Sequence, residues 1–148
     1  MKILYIINNN STGTGGHFNS LKNTIDALEP DITPIVCVIG KRPSPLFEQG
    51  YFVQFTNIKD VIKGFIQLKK IIKKNKPKII HVFDWRSLFL GRLISKYHKI
   101  PLVATKCGGK TIEHPFVKYL ILYSLEDYYV YREQRKFQNA KLYYIPNR

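Results

Sequence analysis

Two glycines stand where a polar turn meets the start of a helical pattern, a place where proteins bind phosphate. Gly15 and Gly16 directly precede the apolar spacing of a predicted helix. The first backbone N–H groups of a helix have no partner within the helix, and the helix dipole favours negative charge there. Glycine also lets a phosphate approach the backbone closely. The pair therefore predicts a phosphate-binding turn, and the alternative is a turn that only starts the helix.

Two strings resemble nucleotide-binding motifs without meeting their requirements. A G-x-G-x-x-G fingerprint needs a glycine where Phe18 stands, and no acidic residue ends the second predicted strand to hold a ribose. Residues 104–111, ATKCGGKT, resemble a P-loop in which alanine replaces the first glycine and Lys110 contacts phosphate. This string follows the fifth predicted strand rather than an early one. A P-loop nucleoside triphosphatase is therefore an alternative that the position disfavours.

Three residues at the end of the fourth predicted strand, His81, Asp84 and Trp85, could contact a ligand. Side chains become accessible at strand ends in an α/β sheet, and an aspartate is costly to bury there unless it is paired. Each polar residue also has a structural alternative. His81 could be a hydrogen-bonded core histidine, and Asp84 could cap the helix that follows.

A lysine-rich helix is predicted at residues 58–75. From Lys59 to Lys78 there are eight lysines and one acid, Asp60. Apolar residues recur at helical spacing on the other side: Ile58, Val61, Ile62, Phe65, Leu68 and Ile72. Such a helix could rest on anionic lipid, and the candidate membrane-facing side chains are Lys63, Lys70, Lys73 and Lys74. The alternative is an ordinary surface helix, because one apolar stripe cannot both pack on a sheet and enter lipid.

Metal binding and disulfide bonding have no support in the residue spacing. His98 and His114 have no ligand-like spacing to other histidines, cysteines or acids, so no metal and no cofactor are expected. The two cysteines, Cys37 and Cys107, lie outside any C-x-x-C motif. This cysteine usage favours a reducing, cytoplasmic compartment.

Short β-branched runs alternate with longer helical patterns, which is typical of βαβ units around a parallel sheet. Seven strands are predicted, at residues 2–7, 34–40, 51–55, 78–84, 102–106, 119–123 and 142–145. Helices are predicted at residues 17–28, 58–75, 87–97, about 111–118 and 125–137. The predicted fold class is α/β, a Rossmann-like doubly wound parallel sheet in one domain. The strand order 3-2-1-4-5 would bring Gly15 and Asp84 to one crevice.

The overall charge is strongly basic. The chain has 148 residues, 45% of them apolar, with 24 basic and 10 acidic side chains and a formal net charge of +14. The apolar fraction excludes a disordered polycation, and no apolar run approaches the roughly 18 residues that cross a bilayer. The charge leaves nucleic acid, an anionic membrane surface or a phosphorylated small molecule as partners. Nucleic acid is disfavoured because the lysines cluster on one helix without interleaved aromatic residues.

Four segments, taken in order, resemble the N-terminal half of GT-B glycosyltransferases, in particular the retaining glycosyltransferase family 4. They are MKILYI leading to Gly15 and Gly16, KPKIIHVFDW at residues 76–85, IPLVAT at residues 100–105 and YIPN at residues 144–147. The resemblance implies an enzyme of two Rossmann-like domains, with residues 1–148 as the N-terminal, acceptor-side domain. The nucleotide-sugar domain would follow outside this sequence, so residues 1–148 alone are expected to be inactive.

The resemblance also implies roles for single residues. Gly15 and Gly16 would approach the donor phosphates. The acceptor cleft would be lined by His17, His81, Asp84, Trp85 and Gly108. Phe83 stands where the family has the second histidine of H-x-H-D, and Cys107 where it has a histidine near the transferred sugar. No catalytic residue is therefore assigned, and Asp84 and Cys107 are the cleft candidates.

The function implied by the resemblance is transfer of a sugar, with retention, from a nucleotide-sugar donor to a saccharide or lipid-linked acceptor. The expected setting is cell-surface polysaccharide or glycolipid synthesis, in the cytoplasm or at the inner face of the membrane. A stand-alone Rossmann-like binding module is the main alternative. A P-loop enzyme and a basic nucleic-acid-binding domain are weaker ones.

Overall fold

Within residues 1–107 and 115–146, which the computed structural model describes, seven parallel strands form one sheet. The strands are β1 (Lys2–Asn9), β2 (Thr33–Gly40), β3 (Tyr51–Gln54), β4 (Ile79–Val82), β5 (Leu102–Lys106), β6 (Tyr119–Leu122) and β7 (Lys141–Tyr144). Their order is β3-β2-β1-β4-β5-β6-β7, and all neighbours are parallel. The predicted α/β class and the order 3-2-1-4-5 are confirmed.

Four α-helices in the described part of the chain cover the two faces of the sheet unequally. α1 (Gly16–Asp26) packs on one face, and α2 (Val61–Asn75), α3 (Trp85–His98) and α4 (Leu125–Glu133) pack on the other. Right-handed crossovers require this arrangement. The chain first passes from β1 to β2 and β3 on one side of β1 and then from β4 to β7 on the other side, so the connecting helices lie on opposite faces of the sheet. No helix of the described segments has both the length and the apolar character needed to cross a bilayer.

The central strand β1 is buried on both faces, which explains its continuous apolar run. Leu4 and Ile6 belong to the core beneath α2, α3 and α4. Tyr5 and Ile7 alternate with them and pack in a second core that contains Phe18 of α1. The strand is thereby held rigidly, and its end at Asn9 is a fixed platform for the loop that follows.

Two predicted helices differ from the structure. In the helix predicted at about 111–118, residues 115–118 are not helical, and residues 111–114 lie outside the described ranges. The segment instead places Val117 in the core ahead of β6. The helix predicted to reach Phe137 ends at Glu133, because Gln134 adopts an extended ψ of 123°. That break lets the Phe137 ring pack edge-on against Tyr131, with centroids 4.8 Å apart.

Candidate functional site

The ends of β1 and β4 meet at the carboxyl edge of the sheet, where the Asp84 carboxylate joins them. Asp84 Oδ2 accepts a hydrogen bond from the backbone N–H of Asn8 at 2.7 Å. Oδ1 accepts from the backbone N–H groups of Arg86 and Ser87, both at 2.9 Å, and the Ser87 hydroxyl completes a capping box. The predicted adjacency of these strand ends is confirmed, as is the helix-capping role of Asp84, and we call the space between them the crevice. Its carboxylate therefore positions the strand ends, and a contact with the acceptor stays a prediction.

The N-terminus of α1 lies beside this crevice and has no side-chain cap. His17 Nε2 is 3.3 Å from the Asn8 carbonyl oxygen. Gly15 is the N-cap residue without a side-chain hydrogen bond, and the first turn holds no acidic residue. A Cβ on Gly16 would meet no heavy atom within 4 Å. Packing within the described chain thus does not require glycine at position 16, and the helix end presents accessible N–H groups and the positive end of a dipole.

Asn9 and Gly13 hold the loop between β1 and α1, and sequence analysis assigned a role to neither. The Asn9 amide donates to the carbonyl oxygens of Arg42 and Pro43 at 3.1 and 2.9 Å and accepts from the Ser11 N–H at 3.1 Å. Gly13 has a φ of +75°, and a Cβ there would lie 2.6 Å from Asn9 Nδ2. Here the backbone does require glycine.

Asn8 brings a buried polar atom without a partner to the crevice. Its side-chain Oδ1 has no hydrogen-bond partner in the described part of the molecule. A buried acceptor left unpaired costs about 1–3 kcal/mol, and a ligand hydroxyl group would satisfy it. Sequence analysis did not single out Asn8, and its position at the end of a strand was the one signal that pointed to it.

His81 lies inside the sheet and is neutral. Its ring centroid is 5.3 Å from that of Tyr5 and 4.5 Å from that of Phe83, and Nε2 lies 2.7 Å from Thr105 Oγ1. Burial lowers the pKa of His81 to about 3. The structural alternative, a hydrogen-bonded core histidine, is confirmed. Whether the ring also contacts an acceptor stays a prediction.

We expect the free energy of unfolding to fall as the pH is lowered below the ordinary histidine pKa of 6.5. Below that pH the unfolded chain takes up a proton at His81, and the folded chain does not. The contribution of neutral His81 to the free energy of unfolding is therefore fully present above that pH and declines as the pH falls toward the folded pKa of about 3. Urea unfolding between about pH 7 and pH 5, where carboxylates remain ionised, measures the slope. His81→Gln, which cannot be protonated, should flatten it, and identical slopes for the two proteins would contradict the expectation.

The Cys107 thiol lies near the Asp84 carboxylate and is protonated at neutral pH. Burial and then the negative charge of Asp84 raise the pKa of Cys107 to about 12, against an opposing effect of Lys106. Because the thiolate is the nucleophilic form of cysteine, the described environment makes Cys107 a poor nucleophile. Gly108 and Lys110, predicted to contact acceptor and phosphate, lie outside the described residues.

A cavity opens next to the crevice on the side of α2 and α3. It has a volume of about 320 Å³, and its apolar walls include Phe55, Val61, Trp85 and Phe89. Arg86 supplies a cation at its edge. We call it the Trp85 cavity. It confirms that Trp85, 66% exposed, stands at an accessible concave surface.

A second cavity, of about 470 Å³, lies on the α1 face of the sheet beside His81. The Tyr123 hydroxyl lies there close to the side chains of Ser20, Thr24 and Thr105. Burial raises the pKa of Tyr123, so the phenol stays protonated. The Thr24 hydroxyl donates to the Ser20 carbonyl oxygen at 2.8 Å, and the Thr105 hydroxyl is hydrogen-bonded with His81 Nε2 at 2.7 Å, which makes the second cavity a weaker candidate for ligand binding.

An ion pair that sequence analysis missed holds the end of β5. Lys106 Nζ donates to Asp127 Oδ2 in the first turn of α4 at 2.8 Å, and the two side chains are 4% and 14% exposed. Lys106 lies on the same buried face of the sheet as Ala104. A lysine at such an inward position was the signal from which a buried ion pair could have been predicted. Within residues 1–107 and 115–146, no three His, Cys, Asp or Glu side chains group around a possible metal position. The expectation that no metal or cofactor is needed stays a prediction.

The four lysines predicted to face a membrane are all exposed on α2: Lys63, Lys70, Lys73 and Lys74. The predicted apolar stripe of this helix needs a correction. Leu68 and Ile72 are buried, whereas Ile62 is 72% exposed. Ile62 lies about 100° around the helix from Val61, which takes it off the face that the sheet can cover.

One protein family matches nearly the whole chain. The family model described as "Glycosyl transferase 4-like" matches residues 2–139. A comparison with curated protein sequences finds no match.

Three solved structures share the fold. The lipopolysaccharide outer core galactosyltransferase WaaB superposes with a TM-score of 0.69 at 18% identity, over 99% of this chain and 46% of that chain. A UDP-GlcNAc 2-epimerase from Methanocaldococcus jannaschii has a TM-score of 0.67 at 16% identity, over 99% and 46%. A glycosyltransferase from Rickettsia africae has a TM-score of 0.67 at 17% identity, over 98% and 42%. The chain therefore spans less than half the length of each structure.

Proposed function

This chain belongs to the glycosyl transferase 4-like family, and from that membership we propose that residues 1–148 form the acceptor-side domain of a sugar-transferring enzyme. The reaction would move a sugar, with retention, from a nucleotide-sugar to a saccharide or lipid-linked acceptor in cell-surface polysaccharide or glycolipid synthesis. A second domain of the same polypeptide would hold the nucleotide. Residues 1–148 alone would then transfer no sugar.

The uncapped N-terminus of α1 beside the Asn8 and Asp84 crevice carries the proposal. A donor diphosphate is dianionic or nearly so, and a helix end with accessible N–H groups favours such a charge. Gly15 and Gly16 are exposed, and a Cβ at Gly16 would meet no heavy atom of the described chain beyond its neighbours and its own helix within 4 Å, so a ligand can approach this helix end. The loop below is held by Asn9 and Gly13, so the donor would meet a preformed site. The names of two structural neighbours, a galactosyltransferase and a UDP-GlcNAc epimerase, agree with a sugar-nucleotide ligand.

The acceptor side would be formed by the Trp85 cavity and Asn8. An indole ring offers an apolar face to a sugar ring or to an acyl or prenyl chain, and Arg86 could pair with an acceptor phosphate. The unpaired Oδ1 of Asn8 could accept a hydrogen bond from an acceptor or donor hydroxyl. Because Cys107 is protonated, the proposal assigns it no covalent role.

Gly16→Asp should weaken binding of the nucleotide-sugar while leaving the fold intact. The substitution has open space, and a carboxylate in the first turn stabilises a helix by about 0.3–1 kcal/mol. The same carboxylate repels the donor diphosphate, so we expect the Kd to rise at least about tenfold, or about 1.4 kcal/mol. Titration calorimetry of the full polypeptide with UDP-GlcNAc, UDP-galactose and UDP, together with urea unfolding, measures both effects.

Gly16→Asn is the matched control, because asparagine has the size of aspartate without its charge. A large loss of affinity with aspartate and a small one with asparagine supports phosphate binding at this helix end. If aspartate leaves the Kd of every nucleotide unchanged, the donor does not bind there and the proposal for α1 is wrong.

A further inference from the structure

α2 and α3 expose large apolar side chains to solvent, side by side. Ile62 and Ile66 on α2 are 72% and 48% exposed. On α3, every fourth residue from Trp85 is a large exposed side chain. The two helices pack against each other. The six residues of this region, which we call the α2–α3 surface, are Ile62, Ile66, Trp85, Phe89, Leu93 and Tyr97.

Contacts across the seam join the two helices into one surface. The Tyr97 ring meets the Phe65 ring edge-on, with centroids 5.4 Å apart. Its hydroxyl accepts a hydrogen bond from Lys69 Nζ at 2.8 Å. The α2–α3 surface therefore lies on two helices that are packed against each other, and this packing fixes the relative positions of its apolar side chains.

Cations lie on both flanks of the α2–α3 surface. With about 100° of rotation per residue, Lys63 and Lys70 lie next to Ile66 on the side of α2 that faces away from α3. On the far side of α3, Arg92 and Lys96 lie next to Phe89 by the same spacing. All four cationic side chains belong to exposed residues.

Acidic residues do not balance these cations. Residues 58–98 contain eleven basic residues and two acids, Asp60 and Asp84. The Asp60 carboxylate accepts hydrogen bonds from the N–H and hydroxyl of Thr56, both at 2.8 Å, and Asp84 caps α3. Both acids are thus engaged at the starts of helices, and the flanks keep a net positive charge.

We propose that the α2–α3 surface binds the interface of an anionic lipid bilayer. Its apolar side chains would enter the boundary of the acyl chains, and the flanking lysines and arginines would contact the headgroups. Trp85 and Tyr97, at opposite ends, are residue types that favour this interface. A second copy of the chain fits less well, because two such surfaces would bring like charges together.

The α2–α3 surface leads into the Trp85 cavity, since Trp85 and Phe89 belong to both. A bilayer bound there would place a lipid-linked acceptor beside the crevice. This last step rests on the proposed function, whereas lipid binding itself does not.

Trp85 is the single tryptophan of residues 1–148, and a Trp85→Phe variant gives the emission of the rest of the polypeptide, so the difference between the two proteins reports on this surface. Titration of the full polypeptide with vesicles of phosphatidylcholine mixed with phosphatidylglycerol should shift the emission to shorter wavelength. Vesicles of phosphatidylcholine alone should produce a much smaller shift. No shift with the anionic vesicles would overturn the proposal.

Matched variants distinguish binding through the α2–α3 surface from nonspecific adsorption of the protein to vesicles. Leu93→Ser should weaken vesicle binding about tenfold, as expected from loss of a buried apolar side chain. Leu125→Ser, at an equally exposed leucine on α4, should have no effect. Lys63→Glu with Lys70→Glu should weaken binding by a similar factor, and Lys41→Glu with Lys141→Glu should weaken it less. Equal effects within either matched pair would contradict a specific surface.

Two further outcomes decide between this inference and others. A dimer in sedimentation velocity that Leu93→Ser abolishes, without vesicle binding, would assign the surface to a second copy and overturn the proposal. Gly16→Asp should leave vesicle binding unchanged, and Leu93→Ser should leave nucleotide-sugar binding unchanged. Failure of the lipid proposal is thereby distinguishable from failure of the donor site.

Discussion

Asp127→Asn should lower the free energy of unfolding by about 3–5 kcal/mol, because it removes the carboxylate that pairs with the buried Lys106 ammonium group. The Lys106 side chain is 4% exposed, and its Nζ lies 2.8 Å from Asp127 Oδ2. An ammonium group at such a depth cannot recover its hydration without opening the contact between β5 and α4. Urea unfolding at neutral pH measures the loss.

Replacing both partners separates the cost of breaking the buried pair from the net contribution of the pair to stability. Lys106→Met with Asp127→Leu removes both charges while keeping similar volume, so we expect a much smaller change in the free energy of unfolding. The exposed pair Lys22 and Asp26, with side chains 50% and 58% exposed, is the matched control. Asp26→Asn should cost at most about 1 kcal/mol. If Asp127→Asn lowers the free energy of unfolding no more than Asp26→Asn does, burial does not determine how much the Lys106–Asp127 pair contributes to stability.

The Lys106–Asp127 pair also bears on the candidate site. Lys106 is the last residue of β5, and Cys107 follows it at the crevice. The pair therefore holds the strand end from the opposite face of the sheet. We infer that loosening it would shift Cys107, whose thiol lies near the Asp84 carboxylate.

The sheet could be predicted from sequence because its determinants are local. A continuous apolar run such as β1 requires burial on both faces, and a helical pattern between two such runs requires a parallel crossover. Those two facts indicate a doubly wound sheet, and the common strand order of such sheets places the Gly15 loop near Asp84. The helix cap at Asp84 was likewise available as an alternative, because capping depends on residues within one turn.

Contacts that depend on distant partners could not be predicted in this way. Lys106 and Asp127 are 21 residues apart, and nothing in their spacing selects one for the other. Asn8 and Asp84 are joined across 76 residues by a backbone N–H group, which any residue type but proline supplies. Ile62 follows helical spacing but lies beyond the part of α2 that the sheet covers, so periodicity alone placed it in the core.

The bridge from Asp84 to Asn8 leads to the second large effect: Asp84→Ala should destabilise the protein by about 1.5–5 kcal/mol. Loss of the helix cap accounts for about 0.5–2 kcal/mol, and the orphaned Asn8 N–H adds about 1–3 kcal/mol. Asp84→Asn separates these contributions, because an asparagine caps a helix well. One atom of its amide is a donor, however, and so cannot satisfy both the cap and the Asn8 N–H.

We therefore expect Asp84→Asn to lose mainly the bridge and Asp84→Ala to lose bridge and cap together, in urea unfolding. Ser124→Ala, which removes the cap of α4 without a comparable bridge, should cost only about 1 kcal/mol. Equal stability of wild type and Asp84→Asn would show that the cap alone matters and that the crevice does not depend on the carboxylate. Asp84→Asn could also weaken nucleotide-sugar binding under conditions in which the variant is fully folded. That result would show that this carboxylate orders the end of β1 and the adjoining first turn of α1, because Asn8 and His17 are in contact there.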